Sequence, residues 1–297
     1  MTDTSAGTRP QPRTLAAVLW MGGALVSFVM VAIAGREASK GVDTLQLMFW
    51  RALIGSAILL LIAGLMRRSP REMISAQNGL QVLRNLVHFC GQFSWLYALT
   101  LMPLAQLFAI EFTAPLWVAF LAPLLLGERL TATRIGAAFL GFVGVLIVVR
   151  PFGTGLSAGA PWAIVAAVAF ALSIIATKRL TRTDGAFTIL LYMHVLQTVI
   201  GLVGMMRGIP VPTAPATWFW ISMVAVAGLT AHFSLTRAIA LADAVVVAPM
   251  DFLRLPIIAV VGAAIYAEPL NPWVLVGGGI VVAANLINIT AERRARR

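Results

Sequence analysis

The side chains best able to do chemistry in this sequence are ionisable or polar residues set inside long apolar runs. Arg51 follows Trp50 in one run, and Glu111 lies in another. Asp251 and Arg254 stand three residues apart in a third. On a helix that spacing puts both on one face, where they can neutralise each other. His88, His194 and His232 are the 3 histidines of the chain, and all fall in apolar runs. Gln92 lies one helical turn beyond His88, and Gln197 nearly one turn beyond His194, so two helices carry polar stripes suited to lining a cavity. Trp50 and Trp95 are deep enough in their runs to supply cavity walls. Charges placed in lipid are costly and turn towards a bundle interior or an aqueous cavity. The chemistry these residue types allow is therefore ion pairing, recognition of a polar solute, and proton handling by a carboxylate or a histidine. Catalysis is less well served, because a membrane transferase or hydrolase needs a convergent nucleophile and base or a metal cluster. The three histidines lack metal-ligand spacing, and the single Cys90 allows neither an intrachain disulfide nor a cysteine zinc site, so no metal is expected. A Gly-x4-Gly-Lys-Ser/Thr loop for ATP is also missing, and no cofactor is implied.

These residues must be carried by elements that lipid accepts. The chain has 297 residues, 60% of them hydrophobic and 11% charged, with a mean hydropathy of +0.92. A soluble domain carries about 25% charged residues, so lipid is the natural solvent here. Apolar runs broken by charges or turn residues give ten expected spans. They are Leu15–Ala34, Leu45–Met66, Leu80–Leu101, Pro103–Leu126, Thr133–Val149, Pro161–Ala176, Phe187–Met206, Trp218–Ala240, Ala244–Tyr266 and Pro272–Ile289. The net charge of +11 suggests nucleic acid only if it clusters with stacking aromatics. With both termini cytoplasmic, 15 of the 22 Lys and Arg residues fall on the inner side, in loops and tails or, for Arg134 and Arg237, at the inner ends of spans. Arg36, Lys40, Arg150 and Arg207 fall outside, and Arg51, Arg84 and Arg254 lie within spans. The surplus is thus membrane topology under the positive-inside rule, and no nucleic-acid partner is expected.

A shift of 140 residues superposes spans three to five on spans eight to ten. It aligns Glu128 with Glu268 in equivalent loops, and Glu111 with Asp251 at equivalent depths. Five spans per half is odd, so the second half enters the membrane the other way round. The expected fold class is an all-α integral membrane protein of ten transmembrane helices, built as two inverted-topology repeats of five. Such repeats place a substrate site near the midplane between the halves. The expected units are a tail over 1–13, a first repeat over 14–150, a linker over 151–159, a second repeat over 160–290 and a basic tail over 291–297. Arg51 lies roughly 9 Å and Glu111 roughly 12 Å below the same surface at 1.5 Å per residue. They can pair across the outer half, either as a fixed tie or as a gate. Ala137/Gly141 and Gly279/Ala283 have the small-xxx-small spacing of close helix contacts, within one chain or between two.

The stretch Ala98-Leu-Thr-Leu-Met-Pro103, then Pro115, Leu126-Gly-Glu-Arg-Leu130 and Ile135-Gly136 through Gly144-Val-Leu-Ile, resembles the second part of an EamA-type repeat. That repeat is the unit of the ten-helix drug/metabolite transporter superfamily, and Arg51 resembles a recurrent arginine of the family. The match is looser in the second half, where Ala267-Glu-Pro-Leu270 replaces the Gly-Glu-Arg-Leu pattern. Within the superfamily the chain is similar to bacterial amino-acid exporters of the YddG type. The resemblance implies a non-enzymatic exporter of amino acids in the bacterial inner membrane, with drugs or nucleosides as the alternative cargo, working by alternating access as a monomer or homodimer. Its partners would be a small-molecule substrate, membrane lipid and a coupling proton. The Asp251–Arg254 pair is then either an internal salt bridge or a pair that offers one charge to each end of a zwitterionic amino acid. On this reading Asp251→Asn impairs transport in proteoliposomes more than Glu128→Gln, and equal activity of Asp251→Asn and wild type removes Asp251 from the site.

Overall fold

The computed structural model describes residues 14–126, 132–149, 157–206, 208–241 and 250–295. Among these residues the regular structure is helical, without a strand. The helices are α1 (Thr14–Ala38), α2 (Thr44–Leu65), the single turn α3 (Pro70–Met73), α4 (Asn78–Leu101), α5 (Leu104–Glu111), α6 (Ala114–Leu126), α7 (Ala132–Val149), α8 (Ala160–Leu180), α9 (Ala186–Gly204), α10 (Pro215–Leu241), α11 (Arg254–Tyr266) and α12 (Pro272–Ala295). Among the described residues seven stretches are long and apolar enough to cross a membrane, one of them running through α5 and α6 over Leu104–Ala122. Ile135–Val149 and Arg254–Tyr266 are apolar but shorter. The chain is thus a multi-pass membrane protein. α4 is 24 residues long, yet Gln81, Arg84, Asn85 and His88 are buried along it. Its polarity is turned inward, away from lipid.

Local sequence sets several helix ends. Asp43 caps α2 by accepting from the Gln46 amide at 2.9 Å, while the Gln46 side chain accepts from the Asp43 amide at 3.2 Å. This reciprocal box satisfies two amides that a helix start leaves without partners. Pro272 opens α12, and Asn271 accepts from the Trp273 amide at 3.0 Å, as its position before the proline predicts. The equivalent cap expected at Glu128–Thr131 lies outside the described residues, as do the two chain ends over 1–13 and 296–297.

Span four, expected over Pro103–Leu126 with Pro115 able to kink it, divides into α5 and α6 at Phe112–Thr113. The ninth span has the same interruption at Phe252–Leu253, between a helical Met250–Asp251 and α11. Pro115 and Pro256 are the physical cause. Each lacks an N–H, and each ring clashes with the carbonyl four residues back, Glu111 in one case and Phe252 in the other. The Leu116 amide instead donates to Thr113 at 2.8 Å, and the Leu255 amide to Phe252 at 3.1 Å. At the first break the amide of buried Asn285 on α12 donates to the Phe112 carbonyl at 2.7 Å.

The helices pack in pairs: α1 along α10, α4 along α8, α2 along α9, α7 along α12, and α5 against α11. Each pair takes one helix from either side of the central linker. The α7–α12 contact is made by glycines, because a Cβ on Gly144 would sit 2.8 Å from the Gly277 carbonyl. Gly141 faces Leu116 and Ala284, whereas Gly279 faces open space. The small-residue contact therefore runs through Gly141, Gly144 and Gly277, one face round from the Gly279 expected. Lipid offers no hydrophobic drive between helices, so this close backbone approach supplies dispersion contact in its place.

Two polar seams tie the halves together at opposite ends. At one, Ser75 donates to Asp184, joined by the Ala76 amide at 3.2 Å and Gln81 at 2.8 Å. Tyr192 donates to Asn78 at 2.6 Å beside it. At the other, Arg36 forms an ion pair with Glu268 and donates to the Leu99 and Met102 carbonyls at 2.8 and 2.7 Å. Glu268 also accepts from the Leu104 amide at 2.8 Å. Glu268 is aimed by Ala267, which takes the left-handed conformation at φ 52°, a geometry that usually selects glycine.

Burial alone would raise the Asp184 carboxyl, but hydrogen bonds from Ser75, Gln81, the Ala76 amide and Thr183 outweigh it and hold the group below the usual carboxylate range. A depressed folded value adds stability above the unfolded value, and that stability is lost as pH falls through the folded one. Asp184→Asn is therefore expected to lower the melting temperature in detergent by ~3 °C at pH 7, with the gap to wild type closing below the carboxylate range. A gap that stays constant with pH contradicts this. Asn285→Leu leaves the Phe112 carbonyl unpaired and is expected to cost about 1–3 kcal/mol in reversible unfolding. Wild-type stability in that variant shows that the break satisfies its carbonyl by another route.

Candidate functional site

One face of α4 carries Gln81, Arg84, Asn85, His88, Gln92 and Trp95 at three- and four-residue steps. That period makes a continuous stripe on a helix, and the neighbours complete it. From α2, buried Arg51 donates through Nη2 to Gln92 at 2.6 Å and to Gln197 on α9 at 2.9 Å. Gln197 donates in turn to the Gln92 carbonyl oxygen at 2.7 Å. Both glutamines predicted to line a cavity thus meet the same guanidinium. His194, one turn before Gln197, hydrogen-bonds through Nδ1 to the Leu190 carbonyl at 2.9 Å. Its ring lies over Gly55, where a Cβ would collide with it. His88 meets Ser173 of α8 at 3.1 Å through Nδ1, and its buried Nε2 has no partner among the described residues.

A second cluster forms at the two helix breaks. Arg254 donates to Asp251 at 2.5 Å and approaches Glu111 at 3.7 Å. The two acids aligned by the repeat are therefore bridged by one cation. Its guanidinium stands over the rings of Phe28, Phe112 and Phe108, at 4.3, 5.0 and 5.9 Å. Glu111 takes a further hydrogen bond from the Trp95 indole at 2.7 Å. His232 on α10 stands edge-on to Phe28 at 5.8 Å, the ring that also faces the Arg254 guanidinium.

The sequence-predicted residues are thus brought together with two exceptions. Arg51 does not pair with Glu111; depth along a helix says nothing of azimuth, and Arg51 turns towards α4 and α9 while Glu111 turns towards Arg254. Trp50 also leaves the polar core. Its indole donates to the Pro210 carbonyl at 3.3 Å and its ring packs on Trp218 at 4.8 Å. Three contributors escaped the candidate set. Arg84 is buried against Thr177 and Asn85, and its place inside a span was the available signal. Asn285 was signalled by a lone amide in an apolar run. The Arg36–Glu268 tie joins residues 232 apart in sequence, and no local pattern announces it. Among the described residues no group of three His, Cys, Asp or Glu side chains could hold a metal.

A buried, charged and aromatic core between paired helices can bind and pass a polar solute, and comparison with known proteins agrees. The chain is 32% identical over 265 residues to a riboflavin transporter of Brucella anthropi, covering 87% of this chain and 92% of that protein. It is 24% identical to an S-adenosylmethionine uptake transporter of Rickettsia felis, over 95% of each chain. A solved crystal structure superposes with a TM-score of 0.65 over 95% of this chain and 99% of its own, at 16% identity, which shows a shared fold. Residues 15–150 and 157–290 each match the model of the EamA-like transporter family, so the chain belongs to that family of the drug/metabolite transporter superfamily.

Proposed function

We propose that this membrane transporter is a secondary carrier that moves an amino-acid-type metabolite across the bacterial inner membrane by alternating access. Its ten spans would form two inverted repeats of five, with both termini cytoplasmic. Two observations support the repeat. The breaks at Phe112–Thr113 and Phe252–Leu253 lie 140 residues apart, the shift that aligns Glu111 with Asp251. The helix pairs α1–α10, α4–α8, α2–α9 and α7–α12 also map onto one another when the halves are exchanged. Discontinuous helices at the midplane are where carriers of this kind place substrate and coupling ions.

The observation that carries the reading is the bridge from Arg254 to Asp251 and Glu111 at those breaks. The two acid side chains keep 17% and 23% of their surface accessible, so neither carboxylate is fully enclosed. With positive charge inside, the Arg36–Glu268 tie closes the outer end and the Asp184 seam the inner end. Net export follows where the metabolite is in excess inside, while the uptake relatives show that the fold also serves influx. Protonation of Glu111 or Asp251 would release Arg254 and couple transport to a proton. Riboflavin, S-adenosylmethionine, drugs and nucleosides are the alternative cargoes.

The test is counterflow in proteoliposomes with labelled amino acids, S-adenosylmethionine, riboflavin and nucleosides. Protein-dependent exchange of at least one compound is expected, reduced tenfold or more by Glu111→Gln. Absence of exchange across the panel refutes the carrier reading.

A further inference from the structure

The polar core carries an uneven distribution of charge, and that unevenness specifies a ligand. Around Arg254 two carboxylates meet one guanidinium, so the ionised cluster has one negative charge more than it has positive. Among the described residues Asp251 Oδ1 is buried there without a hydrogen-bond partner. A buried acceptor left open is a cost that a cationic ligand removes. The walls suit such a ligand. Phe28, Phe108 and Phe112 already surround one organic cation, the guanidinium of Arg254, and aromatic faces favour weakly hydrated cations.

The opposite excess stands on the other side of Trp95. Arg51 and Arg84 are both buried, and among the described residues neither has a carboxylate in ion-pair reach. Their partners are neutral: Met48, Gln92 and Gln197 for Arg51, and Thr177 and Asn85 for Arg84. The hydrogen bonds of Arg51 use Nε and Nη2, which leaves Nη1 without a partner among the described residues. A buried guanidinium with a free donor is a site for a carboxylate, whose paired oxygens match its geometry.

The two poles are joined by α4. Gln92, which binds Arg51, and Trp95, which binds Glu111, are three residues apart on that helix, a separation of about 5–6 Å between neighbouring side chains. We propose that the core is a two-pole site for a compact zwitterion, with its carboxylate on Arg51 and its ammonium or sulfonium group in the box of Asp251, Glu111 and the three phenylalanines. This rests on the carrier reading above and adds which residues would hold each end of its substrate. Arg254 is then the resident cation that holds the box when it is empty and gives way when a ligand cation enters. Riboflavin carries neither pole and is rejected.

The experiment uses the full chain in proteoliposomes. Counterflow of the labelled panel identifies a carried compound, and three competitors then probe the poles: an amino acid, its carboxamide and its desamino acid. Expected is exchange of a zwitterion, with the carboxamide and the desamino acid each competing at least tenfold more weakly. In Arg51→Gln the preference for acid over carboxamide collapses while the preference for ammonium stays. In Glu111→Gln the ammonium preference falls instead, and Arg51→Lys retains part of the acid preference. Size-exclusion profiles, and thermal shifts of the detergent-solubilised variants with the same three compounds, report pole loss even where a variant no longer transports. Exchange of riboflavin alone, or equal competition by all three compounds in wild type, overturns the two-pole site and leaves the carrier intact. No exchange of any compound overturns the carrier itself.

Discussion

A guanidinium cannot be left alone in a membrane interior, and Arg254 is held there by opposite charge from two directions. Asp251 lies just before a helix break and Arg254 just after it, so the local turn brings them to 2.5 Å. Glu111 comes from the other half, at the corresponding break. This bridge dictates much around it. α5 and α11 must pack together, Phe112 and Phe252 at the two breaks meet edge-on, and aromatic rings surround the cation. A continuous helix in either half would carry one acid away from Arg254. The discontinuities are thus the condition for a charged centre in an apolar bundle, with irregular backbone tolerated because it is buried in protein.

The remaining contacts follow from having lipid as solvent. Helices gain little from apolar faces that lipid satisfies equally well. Specificity comes from backbone approach at Gly144 and Gly277 and from polar ties between helices. Those ties are distributed unevenly. The Arg36–Glu268 end and the Asp184 end are stitched with several hydrogen bonds each, whereas the middle holds charges whose partners are incomplete. A bundle pinned at its ends and under-satisfied at its centre is suited to receiving a polar guest, and one set of end contacts must yield for the guest to enter.

Much of this centre is legible in the sequence because it depends on helical spacing. Asp251 and Arg254 pair as an i,i+3 couple should, and the polar stripes through His88–Gln92 and His194–Gln197 reach the core. Their period survives any packing arrangement. What fails is pairing between helices. Arg51 and Glu111 share a depth yet face different neighbours, and Trp50, beside Arg51 in sequence, turns about 100° away on the helix towards Trp218. Glu268 is noticed as the repeat partner of Glu128, but its meeting with Arg36 needs the left-handed turn at Ala267, which an alanine does not announce.

The chain alone therefore determines its solvent, its helices, the two prolines that break them, the correspondence of Glu111 with Asp251 and the family to which it belongs. Those properties reside in composition, period and internal similarity, which are all local or additive along the sequence. Only the tertiary structure decides which buried charge meets which. Rotation of a helix about its axis is set by packing against its neighbours, and that rotation turns Arg51 to two glutamines instead of Glu111.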